Sequence, residues 1–181
     1  MLGTPAAPRL TTERLILRGW DQFDVAPYVQ MMADPETARF ITRRGEPLNA
    51  AQAWSEVAFF IGHWQLLGSG MFVVEEKDSG TFLGRIGPLE PEGWPGLEIA
   101  WGLARHAWGK GYAKEAARAT IDWTFENRSV DRIVSIIHPL NVASQKVAAR
   151  VGERRTEASF TPFREACEIW ELRREDWAST A

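Results

Sequence analysis

Cysteine is almost missing from this chain. Cys167 stands alone among 181 residues, so no disulfide can form within the chain, and a reducing cytoplasm is the expected setting. Histidine is nearly as scarce, with three in all. No Cys/His cluster at ligand spacing exists, so no metal site is expected. No apolar run approaches the ~18 residues that span a bilayer. The opening stretch, Met1 to Pro8, lacks a cationic start followed by an apolar segment and does not read as a signal peptide. Positive charge is not in excess either. A net charge of −3 and a pI of about 5.7 give no field that would draw the chain to nucleic acid or to an anionic membrane. Repeats and low-complexity segments are also lacking. What remains is the expectation of one domain over residues 1–181, with a loose Pro/Ala-rich tail over residues 1–8.

What is present is an ordinary globular composition, 45% hydrophobic and 25% charged, with nine tryptophans that read mainly as large core residues. Arg14 to Arg18 reads as a short strand. Asp21 can cap a helix over about Phe23 to Met32, ended by Asp34-Pro35, with Pro27 forcing a late start or a bend. Thr42 to Pro47 is a polar loop. Asn49 with Gln52 resembles a capping box, and Trp54, Val57, Ala58, Ile61 and Trp64 carry the 3.6-residue period behind it to about Leu67. Met71 to Glu76 and Thr81 to Leu89 form a hairpin. In Leu97 to Leu103, Leu97, Ile99, Trp101 and Leu103 alternate with Glu98, Ala100 and Gly102. A helix follows over Lys110 to about Asn127, then a β-branched strand over Arg132 to Ile137. Asn141 caps a helix closed near Gly152. Strand-like stretches over about Glu153 to Phe160 and Ala166 to Leu172 finish the chain. The order β-α-α-β-β-β-α-β-α-β-β predicts an α/β (α+β) fold. It has a mixed, mostly antiparallel sheet, one splayed parallel pair, and helices on both faces.

The pivotal stretch is Trp108-Gly109-Lys110-Gly111-Tyr112-Ala113, two glycines between an apolar strand and an amphipathic helix. Such a turn leaves unpaired N–H groups and the positive end of a helix dipole facing outward, a cradle for phosphate. It is not a Walker loop: Gly111 replaces the hydroxyl residue, and no glycine stands at Ala104. A dinucleotide fingerprint fits only in Gly109-Lys110-Gly111. Lys114 occupies its third small position, and the next strand ends in His138-Pro139 rather than an acid.

Together with strand 97–103 and the helix start at Asn141 and Ser144, this turn resembles the GNAT N-acetyltransferase superfamily. Trp108 to Ala113 followed by Glu115-Ala116, the opening Thr11-Thr12-Glu13-Arg14-Leu15, and Asn141-Val142-Ala143-Ser144 running on to Val151-Gly152 are similar to its ribosomal-protein N-terminal acetyltransferase branch. The position three before Gly109 is His106, where Gln or Arg is common, with Arg105 beside it to reach a phosphate. Glu153 stands where an aromatic follows the late-helix glycine.

The resemblance implies an acetyl-CoA-dependent transferase acting on a primary amine, either a protein N-terminus or a small molecule, as a monomer or homodimer. The alternative is a non-catalytic acyl-CoA-binding sensor or interaction module. The implied cofactor contacts are Trp101, Gly102, Leu103, Arg105, His106, Trp108, Gly109, Lys110, Gly111, Tyr112, Ala113, Asn141 and Ser144. Ser144 would protonate the leaving thiolate. Glu98, out of the apolar stripe of its strand, is the candidate base, with cross-strand pairing as its other role. His138 is a second candidate near the same cleft. Cys167 reads as a buried strand thiol. The acceptor is expected over the Thr42–Pro47 loop and the helix carrying Trp54, Phe59 and Trp64, near Arg39, Arg43 and Arg44.

Overall fold

The computed structural model describes residues 7–162 and 165–178; most of the tail expected over residues 1–8 lies outside them. Its strands are β1 (Leu10–Thr11), β2 (Leu15–Arg18), β3 (Phe72–Glu76), β4 (Phe82–Leu89), β5 (Glu98–Leu103), β6 (Arg132–Ile137), β7 (Arg154–Phe160) and β8 (Cys167–Arg173). They make one sheet in the order β1-β2-β3-β4-β5-β6-β8-β7. Every neighbouring pair is antiparallel except β5 and β6. That pair is joined through a helix, as a parallel crossover requires.

The helices are α1 (Val25–Met32), α2 (Pro35–Ala38), α3 (Ala50–Leu67), α4 (Tyr112–Asn127), α5 (Val142–Val151) and α6 (Arg174–Ala178). On one face of the sheet, Tyr28, Met31 and Met32 of α1 and Val57 and Phe60 of α3 pack with Met71 and Leu89. On the other, Ala116, Ala117, Ile121 and Phe125 of α4 close over Ile86, Ile99 and Ile133. The small residues of the α4 stripe let its backbone lie close to the sheet, and Ala116, Ala117 and Ile121 are fully buried.

Local chemistry sets the ends. α3 starts under a reciprocal Asn49–Gln52 capping box and stops at Gly68, whose φ is +64°. α1 starts late, at Val25, behind a 3₁₀ turn capped by Asp21; with Pro27 in the first turn, its missing N–H is a group the helix could not have paired. Asp34-Pro35 both ends α1 and opens α2, with Asp34 as cap and Pro35 at the first position. The sequence pattern showed only the ending. α4 begins two residues later than expected, because Gly111 holds φ +83°, a left-handed conformation that no α-helix contains. The two-residue β1, the single turns α2 and α6, and the insertion of β8 between β6 and β7 were not anticipated. Of the tryptophans, Trp64 and Trp177 are buried, whereas Trp54 and Trp108 are 59% and 45% exposed.

Candidate active site

The parallel pair is where the sheet opens. β5 and β6 share one paired position, Glu98 with Val134, and Val134 N donates to Leu97 O at 3.0 Å. In a continued parallel ladder the next rung would run from Ile136 N to Ile99 O. Instead Ile136 N points to the Glu98 carboxylate at 3.4 Å, and Ile99 O accepts from the Ser135 hydroxyl at 2.8 Å. Two side chains thus replace one backbone rung and wedge the strands apart. Beyond the wedge, the main chain of Trp101 faces a gap rather than β6.

Two carboxyls flank the wedge. Glu98 is buried and accepts from Trp94 Nε1 at 2.6 Å. Burial raises its pKa to about 6, against the pull of the Trp94 and Ile136 hydrogen bonds and the Arg85 charge. Glu153, directly after α5, is 2% exposed. Its Oε1 lies 2.9 Å from Ser135 Oγ, and its Oε2 is sealed without a partner. A serine hydroxyl has one proton. Ser135 Oγ stands between Ile99 O and Glu153 Oε1 and can donate to only one of them at a time. Burial, with the Glu98 charge adding to it, lifts the Glu153 pKa to about 8 against the pull of the Ser135 hydrogen bond.

At the far end of the gap lies the mouth of α4. Trp108, Gly109, Lys110 and Gly111 are exposed, and Ala113 is half-buried. α3 and α5 begin under the side chains of Asn49 and Asn141, but no side chain caps α4. Its first N–H groups stay available to an anion. The turn is braced from outside the expected set. Arg14 Nη1 donates to Lys110 O at 2.9 Å. The Arg14 main chain and side chain, together with Thr12 Oγ1, all hold the Glu115 carboxylate at 2.6–2.9 Å. Trp108 Nε1 bonds Leu103 O at 2.7 Å, and the Tyr112 hydroxyl bonds Glu76.

Ser144 and Trp101 meet across the gap. Trp101 Nε1 donates to Ser144 Oγ at 3.2 Å. An indole N–H only donates, so the serine accepts and its own proton remains free to give. Asn141 caps α5 through Oδ1, which accepts from Ser144 N at 3.2 Å. Among the described residues, no acceptor takes its side-chain N–H.

Other expected residues sit differently. Arg105 makes a bidentate pair with Asp34 at 2.6 and 2.9 Å, which leaves Nη1 alone for an anion. His106 Nε2 donates to Phe82 O at 3.1 Å. Both nitrogens of His138 are engaged, with Glu165 and with Leu140 N, so no free lone pair remains for a base. Cys167 is half-buried rather than buried, and burial, then Glu98, Glu165 and Glu168, raise its thiol pKa. Trp64 turns into the core against Phe72 and Trp123 and does not line an acceptor path. Ser135, Glu153 and Glu115 were absent from the expected set. A lone hydroxyl inside the β-branched run 132–137 was the readable sign of the first.

A sheet parted by side chains, with an uncapped helix mouth at one end and a serine and a carboxyl at the other, is the arrangement that an extended acyl thioester with an anionic head would require. The family model described as acetyltransferase (GNAT) domain matches residues 14–154, and the chain belongs to that family. It is an acetyltransferase, and acetyl-CoA is its acetyl donor. The chain is 30% identical over 152 residues to the uncharacterized protein YkkB of Bacillus subtilis (strain 168), covering 81% of this chain and 86% of that protein. It is 29% identical over 141 residues to the uncharacterized N-acetyltransferase p20 of Bacillus licheniformis, covering 76% and 78%. The crystal structure of an acetyltransferase from Agrobacterium tumefaciens str. C58 superposes with a TM-score of 0.83 at 30% identity, over 93% of this chain and 96% of that one. RimL, a ribosomal L7/L12 alpha-N-protein acetyltransferase solved with coenzyme A, shares the fold at a TM-score of 0.76 and 15% identity, over 93% and 99%.

Proposed function

We propose that this enzyme acetylates a primary amine, on a protein N-terminus or a small molecule in the cytoplasm, by direct attack on the thioester of acetyl-CoA. The carrying observation is the placement of Glu98 and Ser144 at the same opening of the sheet, with the serine proton left unclaimed by Trp101. The diphosphate binds the main-chain N–H groups of Trp108 to Ala113, and the amide-bearing arm lies along the gap edge of β5 beside Trp101, Gly102 and Leu103. The free amide N–H groups of Asn141 hold that arm from α5. The main-chain N–H of Trp101 polarises the thioester carbonyl.

Glu98, ionised above its raised pKa, takes a proton from the ammonium form of the acceptor. The amine nitrogen then bonds to the acetyl carbon as the carbon–sulfur bond breaks, and the sulfur takes the Ser144 proton. The N-acetyltransferase p20 and the RimL neighbour support an amine as acceptor.

Coenzyme A release over an amine panel tests the assignment. Ser144→Ala and Glu98→Gln should each lower kcat by roughly 100-fold or more while still binding acetyl-CoA. In wild type, kcat/KM should rise with pH through about 6 as Glu98 ionises, and Glu98→Gln should lose that limb. Unchanged turnover in both variants would remove these roles.

A further inference from the structure

One buried cation on the acceptor side of the sheet is left without a full set of partners. Arg85 on β4 is 7% exposed. Its Nε donates to the Tyr28 hydroxyl at 3.1 Å, and that hydroxyl donates to Glu56 at 2.6 Å. The guanidinium lies 5.2 Å from the centre of the Phe60 ring. Among the described residues, no acceptor takes a hydrogen bond from its two terminal nitrogens, and neither belongs to the sealed, unpartnered polar atoms. They therefore keep some contact with solvent. A buried guanidinium that serves structure alone normally spends its fork on carboxylates or carbonyls, since unmatched donors are costly to bury.

The fork stands over a particular floor. Arg85 pairs with Gly102 across β4 and β5, and its Cζ would lie 3.8 Å from a Cβ built on that glycine. Ile41 and Met31, whose tips would stand 3.0 and 3.4 Å from the same point, fill the space directly over Gly102, so the open stretch of this floor lies toward Ala100. Along this face of β5, Glu98, Ala100 and Gly102 follow one another at the two-residue period, about 7 Å apart per step. Glu98 marks one end of the floor and Arg85 the other. The middle is Ala100, small and half-exposed.

We propose that the acceptor is a small amine that itself carries a carboxylate, and that Arg85 is a specificity-determining residue whose terminal nitrogens grip this carboxylate while the amine lies over Ala100 toward Glu98. A planar fork matches a carboxylate in bidentate fashion. With Glu56 behind the fork and Glu98 along the strand, a single negative charge suits the place better than a dianion. The inference rests on the amine-acetylation reading and names its substrate class.

Matched substrates test it on the wild-type enzyme: amino acids, their carboxamides, and the corresponding decarboxylated amines, followed by coenzyme A release. The acid should exceed its own carboxamide in kcat/KM by about 30-fold or more. In Arg85→Gln, with folding checked by circular dichroism, the acid should fall to the level of its carboxamide through a raised KM. Arg85→Lys should recover part of the difference. Acetylation of acids and carboxamides at equal kcat/KM, or preferred acetylation of peptide N-termini, would overturn the carboxylate grip and leave amine acetylation standing. Failure to acetylate any amine would instead overturn the amine reading from which this inference starts.

Discussion

Glu153 shows how one residue can carry a pH dependence that no surface charge would. Its carboxyl is neutral in the folded protein up to about pH 8, whereas an unfolded chain ionises it near the ordinary value of about 4.3. Between those limits the folded state holds a proton that the unfolded state has released, so stability falls as pH rises through the window. Glu153→Gln keeps the shape, supplies an N–H to Ser135 and has nothing to ionise. Urea unfolding should show the variant more stable than wild type at pH 8, by up to about 5 kcal/mol, with the two converging near pH 4.5. From the sequence, Glu153 was visible only as an acid in an aromatic's place. Its partner Ser135 is eighteen residues away, and local pattern says nothing about which buried groups meet. Glu98 was easier to read, because strict alternation lifted it out of the apolar stripe 97–103.

Among the elements, the turn before α4 was the most legible, since two glycines at a strand-to-helix junction have a conformational reason to be there. Gly109 and Gly111 hold φ of +75° and +83°, a region that costs other residues about 1–2 kcal/mol. Gly111→Ala should lower Tm and raise the Kd for coenzyme A about tenfold, read by calorimetry, because the strain shifts the N–H groups proposed to hold the diphosphate. Gly109→Ala has open space around its added methyl and should show the backbone cost without a steric one. Less legible was the fate of Arg105. Its position beside the motif pointed to phosphate, but Asp34, seventy-one residues earlier, claims it for the corner between α1 and α2. The same limit hid α2 itself, since Asp34-Pro35 ends one helix and caps the next with the same atoms.

For the whole molecule, element order sufficed for the sheet class and its single parallel pair, because a strand–helix–strand crossover leaves few topologies. The place of β8 between β6 and β7 depends on which edge is free once β6 is laid down, and hairpin logic alone does not decide it. The assembled site should discriminate among nucleotides. At a concentration 100-fold above Kd, acetyl-CoA adds about 2.7 kcal/mol to the folded state, which for a chain of this size corresponds to roughly 5–10 °C in Tm. A thermal-shift comparison should give that rise with acetyl-CoA and no comparable rise with NAD or ATP.

The latch of Thr12 and Arg14 on Glu115 joins positions 103 and 101 residues apart in the chain. During synthesis the amino-terminal strand must wait, half-housed, until more than a hundred further residues have left the ribosome and its carboxylate partner exists. The proposed grip on coenzyme A therefore arrives late, and a nascent chain halted before α4 cannot sequester it from the cell's pool.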